Sequence, residues 1–220
     1  YDGMTKVDVD ATEYGTSNYN DGVLAQKAKL TGINITENGT YTKEDGYSNV
    51  VVDVKAPTEI DLKTGIKFSN STFSAMPFTL ICDSGVTSLE GLFYSCFSLI
   101  TLDLSSFDTS NVTNMRNMFA FCSKLPTLDL SNFNTSKVTG IYSMFKYCKS
   151  LTILDLSNFN TSKVTSMSGM FSDCDSLTTV KVINCNEATK NKILTQLQSD
   201  LSSHTWTLGD DGIIRRSETT

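Results

Sequence analysis

The sequence predicts an α/β repeat fold, a stack of short coils sharing a parallel β-sheet, and three observations predict it. One apolar pattern recurs every 26 residues through the middle of the chain. Each recurrence carries leucines at strand-like alternate positions. Each also carries apolar residues three or four apart, which suits a short helix or helical turn.

The four blocks are GVTSLEGLFYSCFSLITLDLSSFDTS from Gly85, NVTNMRNMFAFCSKLPTLDLSNFNTS from Asn111, KVTGIYSMFKYCKSLTILDLSNFNTS from Lys137 and KVTSMSGMFSDCDSLTTVKVINCNEA from Lys163. They align position by position: Val86, Val112, Val138 and Val164; Phe93, Phe119, Phe145 and Phe171; Cys96, Cys122, Cys148 and Cys174; Leu99, Leu125, Leu151 and Leu177. Within a block, Leu99-x-x-Leu102-x-Leu104 has the spacing of a leucine-rich-repeat strand. A single coil cannot bury that face. Coils stacked at ~4.8 Å turn the Leu, Val, Phe and Met columns into one continuous core, so stability grows with each interface between neighbours. Val112, Met115, Met118 and Phe119 predict a short helix or helical turn on the outer side.

These blocks, above all LDLSNFNTSKVTSMSGMF, resemble the 26-residue leucine-rich repeats of bacterial surface proteins called BspA-like, over about Val86 to Cys185. The resemblance implies a leucine-rich-repeat solenoid that binds through its repeat face. Phe107, Phe133 and Phe159 stand where many leucine-rich families place Asn, so aromatic packing is expected in place of a buried Asn ladder.

A solenoid needs atypical units to cover its ends. Upstream, IKFSNSTFSAMPFTLICDS reads as a degenerate coil, with Phe73, Met76 and Phe78 standing for Leu99, Leu102 and Leu104. Downstream, Ile193, Leu194, Leu197 and Leu201 share one helical face, and TWTLGDDGIIRR reads as a hairpin. The expected organisation is a β-rich leader at 1–57, a cap coil at 58–84, four repeats at 85–185 and a helix-plus-hairpin cap at 186–220.

In the leader, YDGMTKVDVDA and GYSNVVVDVKA look like two copies of one strand module, with a turn at Glu37, Asn38 and Gly39 and a connector from Asp10 to Asp21. The run ITENGTYTKEDGYSNVVVDV resembles modules of structural, tail-type proteins in phages and prophages of Gram-positive bacteria. That resemblance implies attachment to other virion proteins through the leader. A generic extracellular β linker also fits.

Composition narrows the function. A formal charge of -6 disfavours nucleic acid, whose phosphates need clustered Lys and Arg. No apolar run is long enough to span a bilayer, so no membrane insertion is expected. The only histidine, His204, lacks triad partners nearby and reads as a surface residue. No phosphate loop, HExxH or EF-hand pattern occurs. Six cysteines fall one per coil, or flank the stack as Cys82 and Cys185. That spacing suits neither zinc nor a disulfide framework, and the repeated Cys is read as a small packed hydrophobe. No enzyme activity, cofactor or metal is expected.

Asp103, Asp129 and Asp155 recur on the exposed side of adjacent strands, where like charges ~5 Å apart repel by ~1 kcal/mol in water. Hydrogen bonds to Ser105, Ser131 and Ser157, with Lys181 replacing Asp in the last coil, would relieve this. So would a cation or a basic or sugar ligand. Strand alternation makes Thr101, Asp103, Ser105, Thr127, Asp129, Ser131, Ile153, Asp155, Ser157, Thr179 and Lys181 the candidate ligand contacts. The two resemblances together imply host-surface recognition, of a protein or glycan, by a phage virion protein. The alternative is a bacterial cell-surface adhesin.

Overall fold

The structure of the chain is a computed structural model, and it describes residues 5–6, 33–37, 40–43, 50–51, 59–62, 67–68, 74–75 and 79–217. In the leader, β1 (Thr5–Lys6), β2 (Ile33–Glu37), β3 (Thr40–Lys43) and β4 (Val50–Val51) form a sheet of order β1-β4-β3-β2. The antiparallel register of β2 on β3 pairs Ile33 with Lys43. The Asp10–Asp21 connector and Phe73, Met76 and Phe78 lie outside the described residues. Next, β5 (Glu59–Asp61) pairs in parallel with β6 (Thr79–Ile81).

The 26-residue blocks stack coil on coil, held on one wall by a ladder that alternates between two kinds of bond. The N–H groups of Leu89, Gly91, Phe93 and Ser95 donate to the next coil's Asn114, Arg116, Met118 and Ala120 carbonyls, at 2.8–2.9 Å. The same bonds recur from Met115, Asn117, Phe119 and Phe121 to the coil after, and again from Ile141, Ser143, Phe145 and Tyr147. Intervening N–H groups turn back within their own coil, as Leu92 to Leu89, Tyr94 to Gly91 and Cys96 to Phe93. Parallel bridges join Ser88, Asn114, Gly140 and Ser166.

This wall corrects the expected helical segment. Val112, Met115, Met118 and Phe119 are all buried, but on consecutive turns rather than on a helix. Their spacing fits a bond to the third preceding residue as well as one to the fourth, and alternate N–H groups are committed to the neighbouring coil. Two left-handed residues per coil also break any helix: Gly91, Asn117, Ser143 and Gly169 at one position, and Ser95, Phe121, Tyr147 and Asp173 at the other, with φ from 53 to 69°.

Inside, Phe68, Phe93, Phe119, Phe145 and Phe171 form a column of nearly parallel rings, centroids 5.7–6.3 Å apart. Phe107 stacks on Phe133 at 6.4 Å, and Phe159 is buried in the same core. Each such pair adds ~0.5–1.5 kcal/mol beyond burial itself. The column begins at Phe68, 25 rather than 26 residues before Phe93, so the first coil is one residue short. The repeated cysteines line a second column and do more than fill space. Their thiols donate to the carbonyl oxygens of Phe68, Phe93, Phe119 and Phe145 in the preceding coil, at 3.0–3.2 Å. All six cysteines are free thiols and buried. Burial pushes the thiols of Cys148 and Cys174 up, that of Cys174 to about 12.

A third column explains the recurring Thr-Ser pair. The hydroxyl of buried Thr109 donates to the Asn134 carbonyl and accepts from the Asn134 N–H; Thr135 does the same with Asn160. Each hydroxyl thereby bridges two coils.

On the leucine side, the expectation of one continuous parallel sheet is corrected. Among the repeats only β7 (Ile153–Asp155) and β8 (Thr179–Lys181) are paired strands. Pro126 supplies a reason. Its counterparts Ile100 and Thr178 donate their N–H to residues 26 back, Ser74 and Thr152, whereas proline has no N–H to give to coil one. The sheet tightens downstream: Leu102 is half-buried, while Leu154 and Val180 are fully buried.

The last coil is covered by α1 (Glu187–Asp200) and by a hairpin of β9 (Trp206–Leu208) and β10 (Ile213–Arg216). β10 pairs antiparallel with β8, giving a mixed sheet of order β7-β8-β10-β9. Asn186 caps α1 by accepting from the Thr189 N–H at 2.8 Å. Ile193 and Leu197 are buried and Leu194 is packed against the core. Where a further coil would offer carbonyls, the Asp200 carboxylate accepts from the N–H groups of Gly169 and Phe171, at 3.2 and 2.9 Å. Lys192 Nζ donates to the carbonyls of Thr161 and Val164 and so ties α1 to the last coil. Thr189 extends the hydroxyl column from Thr161.

Candidate binding surface

Strand alternation decides which side chains emerge. Leu104, Leu128, Leu130, Leu154, Leu156 and Val180 point inward, and the residues between them point out. Thr101, Asp103, Ser105, Thr127, Asp129, Ser131, Ile153 and Asp155 are exposed, and Ser157, Thr179 and Lys181 are half-exposed. Where strands are paired, Ile153 sits beside Thr179 and Asp155 beside Lys181. The candidate contacts therefore form one outward rank, one set per coil.

The Asp residues are fixed by the chain itself. Oδ1 of Asp103, Asp129 and Asp155 accepts from the N–H of Ser105, Ser131 and Ser157, at 2.9–3.0 Å. Each carboxylate closes a small turn as its strand ends. The bond from the serine backbone, helped by the serine hydroxyl, holds the carboxyl groups of Asp103 and Asp129 below the usual range. Lys181 Nζ lies 3.9 Å from Asp155, a loose exposed pair of the kind worth under ~1 kcal/mol. One oxygen of each carboxylate is thus used locally, and the rank keeps its negative charge.

Beside this rank is a hollow of about 210 Å³ lined by Leu130, Ser131, Asp155, Ser157, Asn158, Ile183 and Asn184. The Asn158 side chain donates to the Ser131 carbonyl, as Asn132 does to the carbonyls of Leu104 and Phe107 in the coil before. Ile183 is half exposed at 50%, so the hollow offers an apolar wall opposite hydroxyl, carboxylate and amide groups. That mixture suits a polar ligand with an apolar flank. The lining brings together Ser131, Asp155 and Ser157 from the candidate rank. Asn158 and Asn184 fall out of step with strand alternation, whereas Ile183 takes the place of Ser105, Ser131 and Ser157 in the last coil and is a member of the rank that the candidate set omits. The signal for the two asparagines is in the sequence: Asn132, Asn158 and Asn184 recur at the same 26-residue spacing.

His204 is half-buried rather than a plain surface residue, with Nε2 3.5 Å from Nη1 of Arg216. The same Arg216 Nη1 donates to the Asp175 carbonyl at 2.8 Å, which holds the hairpin against the last coil. Among the described residues, no three His, Cys, Asp or Glu side chains are grouped as a metal would require. No helix among them is long and apolar enough to cross a membrane.

A family model described as "Mycoplasma protein of unknown function, DUF285" matches residues 71–202. No curated protein matches. Among solved structures, the chain is similar to a leucine rich cell surface protein from Faecalibacterium prausnitzii A2-165, at 21% identity and a TM-score of 0.29. That match covers 67% of this chain and 47% of the other, so the chain spans about half the length of that protein.

Proposed function

The chain belongs to the family described as Mycoplasma protein of unknown function, DUF285, and we propose that it is a non-enzymatic binding module, a leucine-rich-repeat solenoid that serves as an adhesin on a bacterial cell surface. The observation that carries this reading is the outward rank of Thr, Asp and Ser side chains, set at one pitch by stacked coils, with the carboxylates of Asp103, Asp129 and Asp155 held in one pose. Such a surface is ordered before a partner arrives, which lowers the entropy lost on binding. The resemblance of the blocks to BspA-like surface repeats supports the location. The reading as a phage virion module rests on the leader's sequence pattern alone, and the comparisons add nothing to it.

The partner is a host-surface protein or a glycan that meets a row of carboxylates and hydroxyls. The test uses the full chain on a biosensor against a panel of extracellular-matrix proteins and glycans. The Asp129→Ala/Asp155→Ala variant is expected to bind its ligand about tenfold more weakly, a loss of ~1.4 kcal/mol. Unchanged binding by that variant removes the strand face from the proposal. Incubation with an oligosaccharide panel is expected to release no product.

A further inference from the structure

The turn wall carries a second outward row that the strand face does not explain. Tyr94, Phe121 and Tyr147 form a row of rings, one from each of three successive coils, with centroids 5.5 and 5.2 Å apart, the first pair edge to face at 71° and the second tilted by 33°, with Phe121 and Tyr147 half-exposed. Tyr94 is 37% exposed, and nearby in sequence Phe97 is 47% exposed. Phe121 and Tyr147 occupy a left-handed position, with φ of 66 and 62°. That conformation is costly for a bulky side chain and mild for Asp, Asn or Gly. The flanking coils place Ser95 and Asp173 there, and the other left-handed position of each coil holds only Gly, Asn or Ser. Aromatic rings at the two central positions are thus held against backbone preference, and strain of this kind concentrates where a surface has a task.

Three lysines gather around the rings, against the two carboxylates of Asp173 and Asp175 on the following coil. Lys124 follows Phe121, and Lys146 and Lys149 flank Tyr147, in a chain whose net charge is -6. Lys149 Nζ lies 4.3 Å from the centre of the Tyr147 ring and 3.3 Å from Asp175. Lys124 and Lys146 have no acidic partner among the described residues.

We propose that the Tyr94, Phe121 and Tyr147 row, with Lys124 and Lys146, is a second binding surface whose ligand is an acidic polysaccharide. The apolar faces of its sugar rings pack on the aromatic rings, one sugar per coil, and its carboxylates meet the two ammonium groups. Charge complementarity selects an anionic partner, and the regular ring spacing selects a polymer of rings over an acidic peptide. This site lies on the turn wall and stands independently of the strand-face reading.

Polygalacturonate oligosaccharides titrated into the full chain are expected to bind saturably and to weaken as salt is raised. Polyglutamate and neutral dextran oligosaccharides are expected to bind at least about tenfold more weakly. Phe121→Asn/Tyr147→Asn is expected to lose at least about tenfold in polygalacturonate affinity while its melting temperature holds or rises, since Asn accepts the left-handed backbone. Lys124→Gln/Lys146→Gln is expected to lose most of the salt dependence, and Asp129→Ala/Asp155→Ala to bind polygalacturonate as the parent does. Absence of saturable binding overturns the proposal. So does polyglutamate binding equally well, full affinity in the ring variant, or a ring variant that loses stability while the lysine variant keeps full affinity.

Discussion

Asp200 does for the last coil what a whole further coil would otherwise do, which makes it the most informative single position for stability. In the coil before, the N–H groups of Ser143 and Phe145 donate to the carbonyls of Ser168 and Met170. One turn on, Gly169 and Phe171 donate to the two oxygens of the Asp200 carboxylate, which also accepts from Gln196 Nε2 at 2.8 Å. A hydrogen bond to a charged group contributes ~1.5–3 kcal/mol. Gly169 is half-exposed and water can replace its acceptor, whereas Phe171 is fully buried and its N–H would be stranded. Asp200→Ala is therefore expected to cost ~2–4 kcal/mol, a fall of ~5–15 °C in Tm for a chain of this size. Asp200→Asn keeps one acceptor and turns an amide NH2 toward the other donor, so it should fall between the two. Urea unfolding gives the free energies, and native-state hydrogen exchange shows whether the amides of Gly169 and Phe171 lose protection selectively. If Asp200→Ala unfolds within ~0.5 kcal/mol of the parent with those two amides still protected, the coil-mimic account is wrong.

Other predictions follow from the same geometry. Cys174, held near 12 in the fold against 9.0 for a free thiol, keeps its proton in the folded state after the unfolded chain has released its own. Its contribution is complete below pH ~9 and falls by ~1.4 kcal/mol per pH unit between there and ~12; urea unfolding at pH 8 and 10 should show a shallower decline for Cys174→Ala. A Cβ at Gly140 would sit 2.5 Å from Nε of Arg116, whose guanidinium also lies 5.3 Å from the centre of the Tyr142 ring. Gly140→Ala should cost ~1–3 kcal/mol, and adding Arg116→Ala should recover part of the loss, as a double-mutant cycle by thermal unfolding would record. Gly212 has φ of 72° and would bring a Cβ within 2.8 Å of the Ile183 Cα, so Gly212→Ala is expected to loosen the hairpin from β8. Faster exchange of the Val182 amide, which donates to the Gly212 carbonyl, is the readout.

The period of the stack could be read from the sequence because equivalent residues touch: Val, Phe, Cys and Leu recur at the spacing at which coils meet. The path of the chain within a coil could not. Apolar residues three and four apart satisfy a helix and a string of turns equally, and the residues that decide between them include Phe121 and Tyr147, which do not advertise a left-handed backbone. Phe68 was hidden by a deletion, since a first coil one residue short puts it out of step with every aligned column. The interruption of the sheet had a visible cause in Pro126, but only the bonds made by Ile100 and Thr178 show what that proline lacks. At the candidate surface, alternation located the outward rank and overlooked the Asn132, Asn158 and Asn184 row beyond it. Asp200 and Lys192 gave no signal, because a residue that closes an array occurs once and has no counterpart to align with.

The repeated ladder of the turn wall has an implication for how such a protein changes length. At each junction four N–H groups of the earlier coil donate to the later one and one threonine N–H of the later coil, Thr113, Thr139 or Thr165, donates back, so each internal junction is chemically the same as the next. A cassette of 26 residues spliced between any two coils would find a matching partner above and below and disturb neither terminus. The two most alike blocks, those starting at Asn111 and Lys137, are what recent duplication of such a cassette would leave behind. Lengthening in this way moves the strand-face rank and the aromatic row together, so reach and valency would grow in equal steps while the terminal lid is kept unchanged.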